Sequence, residues 1–107
     1  MTVLSLYVNI YNILMIKSFK SKEAKKIFNR EYVRNLSSAI QRTAMRKLWM
    51  INAVVSISDL RVPPSNNLER LRGRRKGQYS VRINSQWRIC FKWQQSDAHD
   101  VEIIDYH

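Results

Sequence analysis

Between Leu68 and Trp93 the chain reads LERLRGRRKGQYSVRINSQWRICFKW, and its second half alternates in character. Trp87, Ile89, Phe91 and Trp93 fall on one parity, and Arg88, Cys90 and Lys92 on the other. Side chains leave alternate faces of a strand, so this stretch predicts a strand with one large apolar face and one mainly basic face. Asn84-Ser85-Gln86 separates it from an earlier run, Gln78–Ile83, and the pair predicts a β-hairpin. The apolar face requires a core to cover it. The basic face is left for something negatively charged.

Two helices supply the cover. Ser21 is placed as an N-cap ahead of Lys22-Glu23-Ala24, and Ala24, Ile27, Phe28 and Tyr32 recur at helical spacing with Lys25, Lys26 and Arg30 outside. Ser37 or Ser38 caps a second helix, whose stripe is Ile40, Ala44, Leu48, Ile51 and Val55. Arg42, Arg46 and Lys47 lie off that stripe, as solvated charges or as contacts to a nucleic-acid backbone. Helix then fails: Ser56–Asn67 carries Pro63-Pro64 and Ser65-Asn66-Asn67, a loop signal with a stiff start. A last strand is predicted at Val101–Tyr106, after a polar hairpin loop over residues 94–98. Met15–Lys20, with Ile16 and Phe19, reads as a short extended segment before the helices. The class is α+β, with two N-terminal helices packed on one face of a small, mainly antiparallel twisted sheet.

At 107 residues the chain has the size of one domain, over residues 15–107, and 45% hydrophobic content suits one modest core. Residues 1–14 contain no charged side chain and are too short to span a bilayer as a helix. They read as an extension that adds a strand or docks on the surface, or as the product of a start upstream of Met15. Nineteen Lys and Arg against eight Asp and Glu give a net charge of +11. That excess favours a polyanionic partner, nucleic acid first, and no amphipathic anchor segment points to a membrane. The single cysteine, Cys90, excludes an internal disulfide framework and a multi-cysteine zinc site, and makes the reducing cytoplasm the default compartment. It reads as a small semi-buried side chain.

From Arg61 to Arg88 stand Arg61, Arg70, Arg72, Arg74, Arg75, Lys76, Arg82 and Arg88, with Glu69 the lone acid. An arginine fork holds a phosphate through two hydrogen bonds, whereas a bare charge run gives only solubility. Arg88 stands apart, because a guanidinium inside a strand costs desolvation unless a partner or a ligand compensates. The chain closes on Asp105-Tyr106-His107, an acceptor, a phenol and an imidazole that titrates near neutrality. Beside Arg88 these make a minimal kit for cutting RNA without a metal. One group takes the 2′-hydroxyl proton, cations hold the phosphorus oxygens, and an acid protonates the departing 5′-oxygen.

The run from Leu71 to Ser80, then Ile83-Asn84, Gln86-Trp87-Arg88-Ile89-Cys90-Phe91 and the closing Asp105-Tyr106-His107 resemble the HigB family of the RelE/ParE superfamily. The likeness covers nearly all of Met15–His107. It implies a RelE-like fold and a toxin of a type II toxin–antitoxin module, which enters the ribosomal A site and cleaves translated mRNA there. The implied reaction leaves a 2′,3′-cyclic phosphate and needs no metal or other cofactor. The implied partners are the 70S ribosome with its mRNA and a HigA-type helix-turn-helix antitoxin, with operator DNA bound only through the toxin–antitoxin complex. By position, Arg88 would stabilise the transition-state phosphate, and Asp105, Tyr106 and His107 would transfer protons and orient the base. Arg75 joins this catalytic set. Arg72, Arg74, Lys76 and Arg82 would contact the RNA phosphates. Glu69 stands where some relatives carry a histidine, which leaves the general base unassigned.

Two other classes fit the same chain. A ParE-like gyrase inhibitor would act by binding alone, and a plain RNA-binding module would use only the charge. The enzyme reading carries one geometric demand: Arg88 and His107 must converge on a common concave pocket.

Overall fold

Ser21 caps the first helix as its sequence predicts. In the computed structural model, which describes residues 16–106, its Oγ accepts from Ala24 N at 3.1 Å, and α1 runs over Lys22–Phe28. Residues 1–14, Met15 and His107 lie outside the described residues. Helix α1 is shorter than its stripe suggested. Arg30 takes a left-handed φ of 65°, ending the helix in the manner usually left to glycine, so Tyr32 is thrown outward and is 69% exposed. Trp49 holds this end from the side: its Nε1 donates to Phe28 O at 3.1 Å, and the Arg30 guanidinium lies 4.6 Å from its ring centroid.

Ser37 caps the second helix, α2, Ser38–Ala53, by accepting from Ile40 N. The helix stops before Val55, which is exposed, so the stripe ends at Ile51. Lys47 departs further from expectation, because it is buried rather than solvated. The segment expected as a loop, Ser56–Asn67, winds into two 3₁₀ turns, Ile57–Arg61 and Pro64–Asn66, and buries Leu60 and Asn66 completely.

Four antiparallel strands follow in the order β1-β2-β3-β4: β1 Glu69–Arg70, β2 Gln78–Arg82, β3 Trp87–Gln94 and β4 Asp97–Asp105. Strand β1 was not legible, since two residues carry no periodicity. Between β1 and β2 the chain passes Gly77 at φ +90°, a conformation that other residues adopt only under strain. The β2–β3 turn is tied by Asn84, whose Oδ1 accepts from Gln86 N at 2.9 Å and Trp87 N at 2.8 Å. Residues 16–20 run parallel to β4, bridging Ile16 to Ala98 and Phe19 to Val101.

The polar loop expected over residues 94–98 shrinks to a two-residue turn, because Gln94 pairs with Asp97 and leaves Gln95 and Ser96, both left-handed. Strand β4 therefore starts four residues earlier than its apolar pattern suggested. It also holds one extra residue: pairing shifts from Cys90↔Glu102 to Lys92↔His99, a bulge marked by Asp100 at φ 53°. Ser18 steadies the bulge, its Oγ accepting from Asp100 N at 2.8 Å.

One apolar cluster joins Ile27, Ala44, Leu48 and Ile51 of the helices to Val81, Ile89, Phe91 and Val101 of the sheet. The β3 alternation thus resolves as expected, with Ile89 and Phe91 fully buried and Trp87 and Trp93 packed on the margin. The connection between α1 and α2 is held by a buried amide. Gln41 Nε2 donates to Val33 O and Leu36 O, both at 2.7 Å, and its Oε1 accepts from Val33 N at 2.9 Å. Gln41→Leu strands these backbone groups and should lower the unfolding free energy in urea titration by about 2–4 kcal/mol.

Candidate active site

In the ladder, Glu69 pairs with Ser80, Ser80 with Cys90, and Arg82 with Arg88. These residues share the face turned away from the apolar cluster. Arg88 is buried there, only 4% exposed. Its Nε donates to Ser80 Oγ at 2.8 Å, and its Nη2 to Asn67 O at 2.5 Å. Its Nη1 lies 3.5 Å from Glu69 Oε1. The ring of Tyr106 covers the guanidinium, 5.2 Å from centroid to Cζ, and the phenol donates to Glu69 Oε2 at 3.3 Å. The desolvation of a mid-strand arginine is therefore met by partners within the chain. Its inner edge is committed to Ser80 and Asn67. Its Nη1 edge faces the rim, where Tyr106 is 41% exposed.

The expected site residues fare differently. Arg88 and Tyr106 meet, and Glu69 joins them. His107, which the convergence expectation also required, lies outside the described residues. Asp105 pairs with Trp87 in the ladder and so leaves the strand on the opposite face from Arg88, its Oδ2 accepting from Gln86 Nε2 at 3.2 Å. Arg75 is turned to Gln78 Oε1 at 3.1 Å and Glu102 Oε2 at 3.2 Å. Arg72, Arg74, Lys76 and Arg82 are exposed.

Sequence reasoning missed Ser80 and Asn67 as the residues that aim Arg88. The hairpin register held the signal for Ser80, which sits one diagonal step from Arg88 and within reach of a long side chain. Asn67 acts through its carbonyl, on a backbone at φ 44°, and its side-chain identity gave no sign of it. Cys90 is completely buried, and burial pushes its thiol up from 9.0 to about 11. Among the described residues no three His, Cys, Asp or Glu are placed to hold a metal ion, and no helix is long and apolar enough to cross a membrane.

The family model for RelE-like toxins of the type II toxin–antitoxin system HigB matches residues 17–107. The chain belongs to this family. Toxin HigB-1 of Vibrio cholerae is 38% identical over 80 residues, 74% of this chain and 84% of that toxin. Endoribonuclease HigB of Proteus vulgaris is 30% identical over 93 residues, 87% of this chain and 100% of that protein. Among solved structures, a heterotetrameric complex of the YoeB-YefM toxin-antitoxin from Staphylococcus aureus superposes with a TM-score of 0.51 at 18% identity, covering 88% of this chain and 97% of the matched one. That likeness speaks for the fold alone, which is RelE-like, as the sequence predicted. For this HigB-family toxin the buried fork makes Arg88 part of the architecture as well as of the candidate site. Arg88→Ala should cost about 2–4 kcal/mol of stability in urea titration, whereas Tyr106→Phe, which deletes one exposed hydroxyl, should cost under about 1 kcal/mol. The Cys90 thiol should resist alkylation at pH 8 until the chain unfolds. Because its folded pKa is raised, its stabilising contribution holds in full below pH 9 and is lost as pH rises through about 11, a slope that Cys90→Ala should remove.

Proposed function

We propose that this toxin is a ribosome-dependent endoribonuclease that cuts translated mRNA in the A site by attack of a ribose 2′-hydroxyl on the adjacent phosphorus. The observation that carries the reading is the convergence of Glu69 and Tyr106 on one guanidinium. A pure binding surface has no use for a carboxylate that neutralises its best phosphate ligand. A relative of similar length is itself called an endoribonuclease.

In this mechanism Glu69 takes the 2′-hydroxyl proton, standing in for the histidine that some relatives carry. Tyr106 fixes that carboxylate through its hydroxyl, and its ring offers a face on which a base can stack. The Nη1 edge of Arg88 faces Glu69 beyond ordinary hydrogen-bond length, so it is the edge available to a non-bridging phosphate oxygen as charge develops there. The P–O5′ bond breaks as the 2′-oxygen bonds to phosphorus, and His107 protonates the departing 5′-oxygen. The products are a 2′,3′-cyclic phosphate and a 5′-hydroxyl end. Asp105 orients the terminal residues, and Arg75, held by Glu102, contributes positive potential from the same face as Arg88. Arg72, Arg74, Lys76 and Arg82 grip the backbone, and no metal takes part. A HigA-type helix-turn-helix antitoxin neutralises the toxin in the cytoplasm, and operator DNA is bound only through that complex.

Primer extension on transcripts from cells expressing the toxin should show discrete breaks within translated regions, while plasmid topology stays unchanged. Glu69→Gln and Tyr106→Phe should each lower cleavage on purified ribosomes about 10²–10⁴-fold. Full cleavage by Glu69→Gln would remove the carboxylate from its assigned role. Altered supercoiling with intact transcripts would replace the enzyme by a gyrase inhibitor.

A further inference from the structure

On the other side of Arg82 the molecule opens a cleft of about 410 Å³ between α2, the proline segment and the β2–β3 turn. Its charged lining is Arg46, Lys47 and Arg82, with no acid, and Thr43, Ser65 and Ser85 add hydroxyls. Lys47 is the unusual member, at 7% exposure. Its ammonium donates to Asn66 Oδ1, and a side-chain amide neutralises no charge. Arg46, which leans on Thr43 Oγ1 at 3.4 Å, adds repulsion, so burial first and Arg46 second lower the pKa of Lys47. Among the described residues ion pairs engage Lys20, Arg75, Arg88 and Lys92, and none of the cleft's three cations is in them.

A buried ammonium beside a second cation, facing a polar cleft, is an arrangement that an anion would relieve. We infer that this cleft binds a phosphate group of the RNA backbone, next to the nucleotide held at Arg88. The register supports the adjacency: Arg82, on the cleft's rim, is the direct cross-strand partner of Arg88. A strand of RNA leaving the Arg88 site over Arg82 meets the cleft next. This inference rests on the RNA reading of the Arg88 site, so its test keeps the two apart.

The purified full chain is titrated with a fluorescent RNA oligonucleotide made uncleavable by 2′-deoxy substitution, over a series of salt concentrations. Arg46→Gln and Arg46→Ala should each weaken binding 3–10-fold and lower the slope of log affinity against log salt by about 0.7, the loss of one single-strand phosphate contact. Lys25→Gln, an equal charge change on α1, should leave that slope unchanged. If Arg46→Gln keeps the wild-type slope while the wild type still cleaves transcripts, the cleft inference fails and the enzyme stands. If the slopes fall as expected but no transcript is cleaved, the enzyme reading fails and the cleft stands. Inorganic phosphate alone should raise the melting temperature of the wild type, and Lys47→Met should abolish that shift while remaining folded. A phosphate-dependent shift without any change in RNA slope would make the cleft a site for free phosphate and overturn the RNA assignment.

Discussion

Lys47 reaches Asn66 and Arg88 reaches Asn67, so two cations withdrawn from water are held by neighbouring residues of one loop. Lys47 comes from α2, Arg88 from the middle of the sheet, and the loop lies between. Neither cation tolerates burial without partners, and each finds them only when helix, loop and strand are all in place. The same loop buries Leu60 and inserts the Asn66 amide, which donates to Leu60 O at 3.0 Å. Apolar packing brings helices and sheet together. These polar ties decide how they are set relative to the proline segment, and a fold held this way has a defined site edge rather than a sliding one.

The acids are distributed with the same economy. On the face away from the core, Glu69 meets Arg88, Glu102 meets Lys20 and Arg75, and Asp100 meets Lys92. Negative charge is placed where strands crowd their cations. The α2 side of the molecule has none in its cleft, and the positive field there is left standing. For a chain of +11, such a field is one to which a polyanion would be drawn.

Much of the architecture could be read in advance because it rests on periodicity and capping. The parity of Trp87–Trp93, the two serine caps and the helix stripes are local properties that survive folding. The errors have equally local causes. Tyr32 and Val55 continued helical spacing past the points where the backbone turned away. The residues before Val101 looked like loop because Ala98 is the one apolar side chain among them, and their strand is bound largely through its backbone. The candidate site was legible as a set of neighbours more than as a wiring. Arg88 and Tyr106 were named from the sequence, but the second coordinates of the problem, Ser80, the Asn67 carbonyl and the desolvation of Lys47, depend on contacts between distant segments. Asp105 shows the limit of reading a tripeptide as a unit, since adjacent residues on a strand serve opposite faces.

The single extra residue at Asp100 reaches further than its place in a surface hairpin suggests. It shifts the parity of everything after it, so Val101 and Ile103 turn toward the core while Glu102 and Tyr106 turn toward Arg88. Loss of that one residue from the ladder would send Glu102 inward and carry the phenol to the far side of the sheet. The turn at Gln95-Ser96 lies outside the paired residues and can change length without this effect. The bulge residue is inherited together with the chemistry.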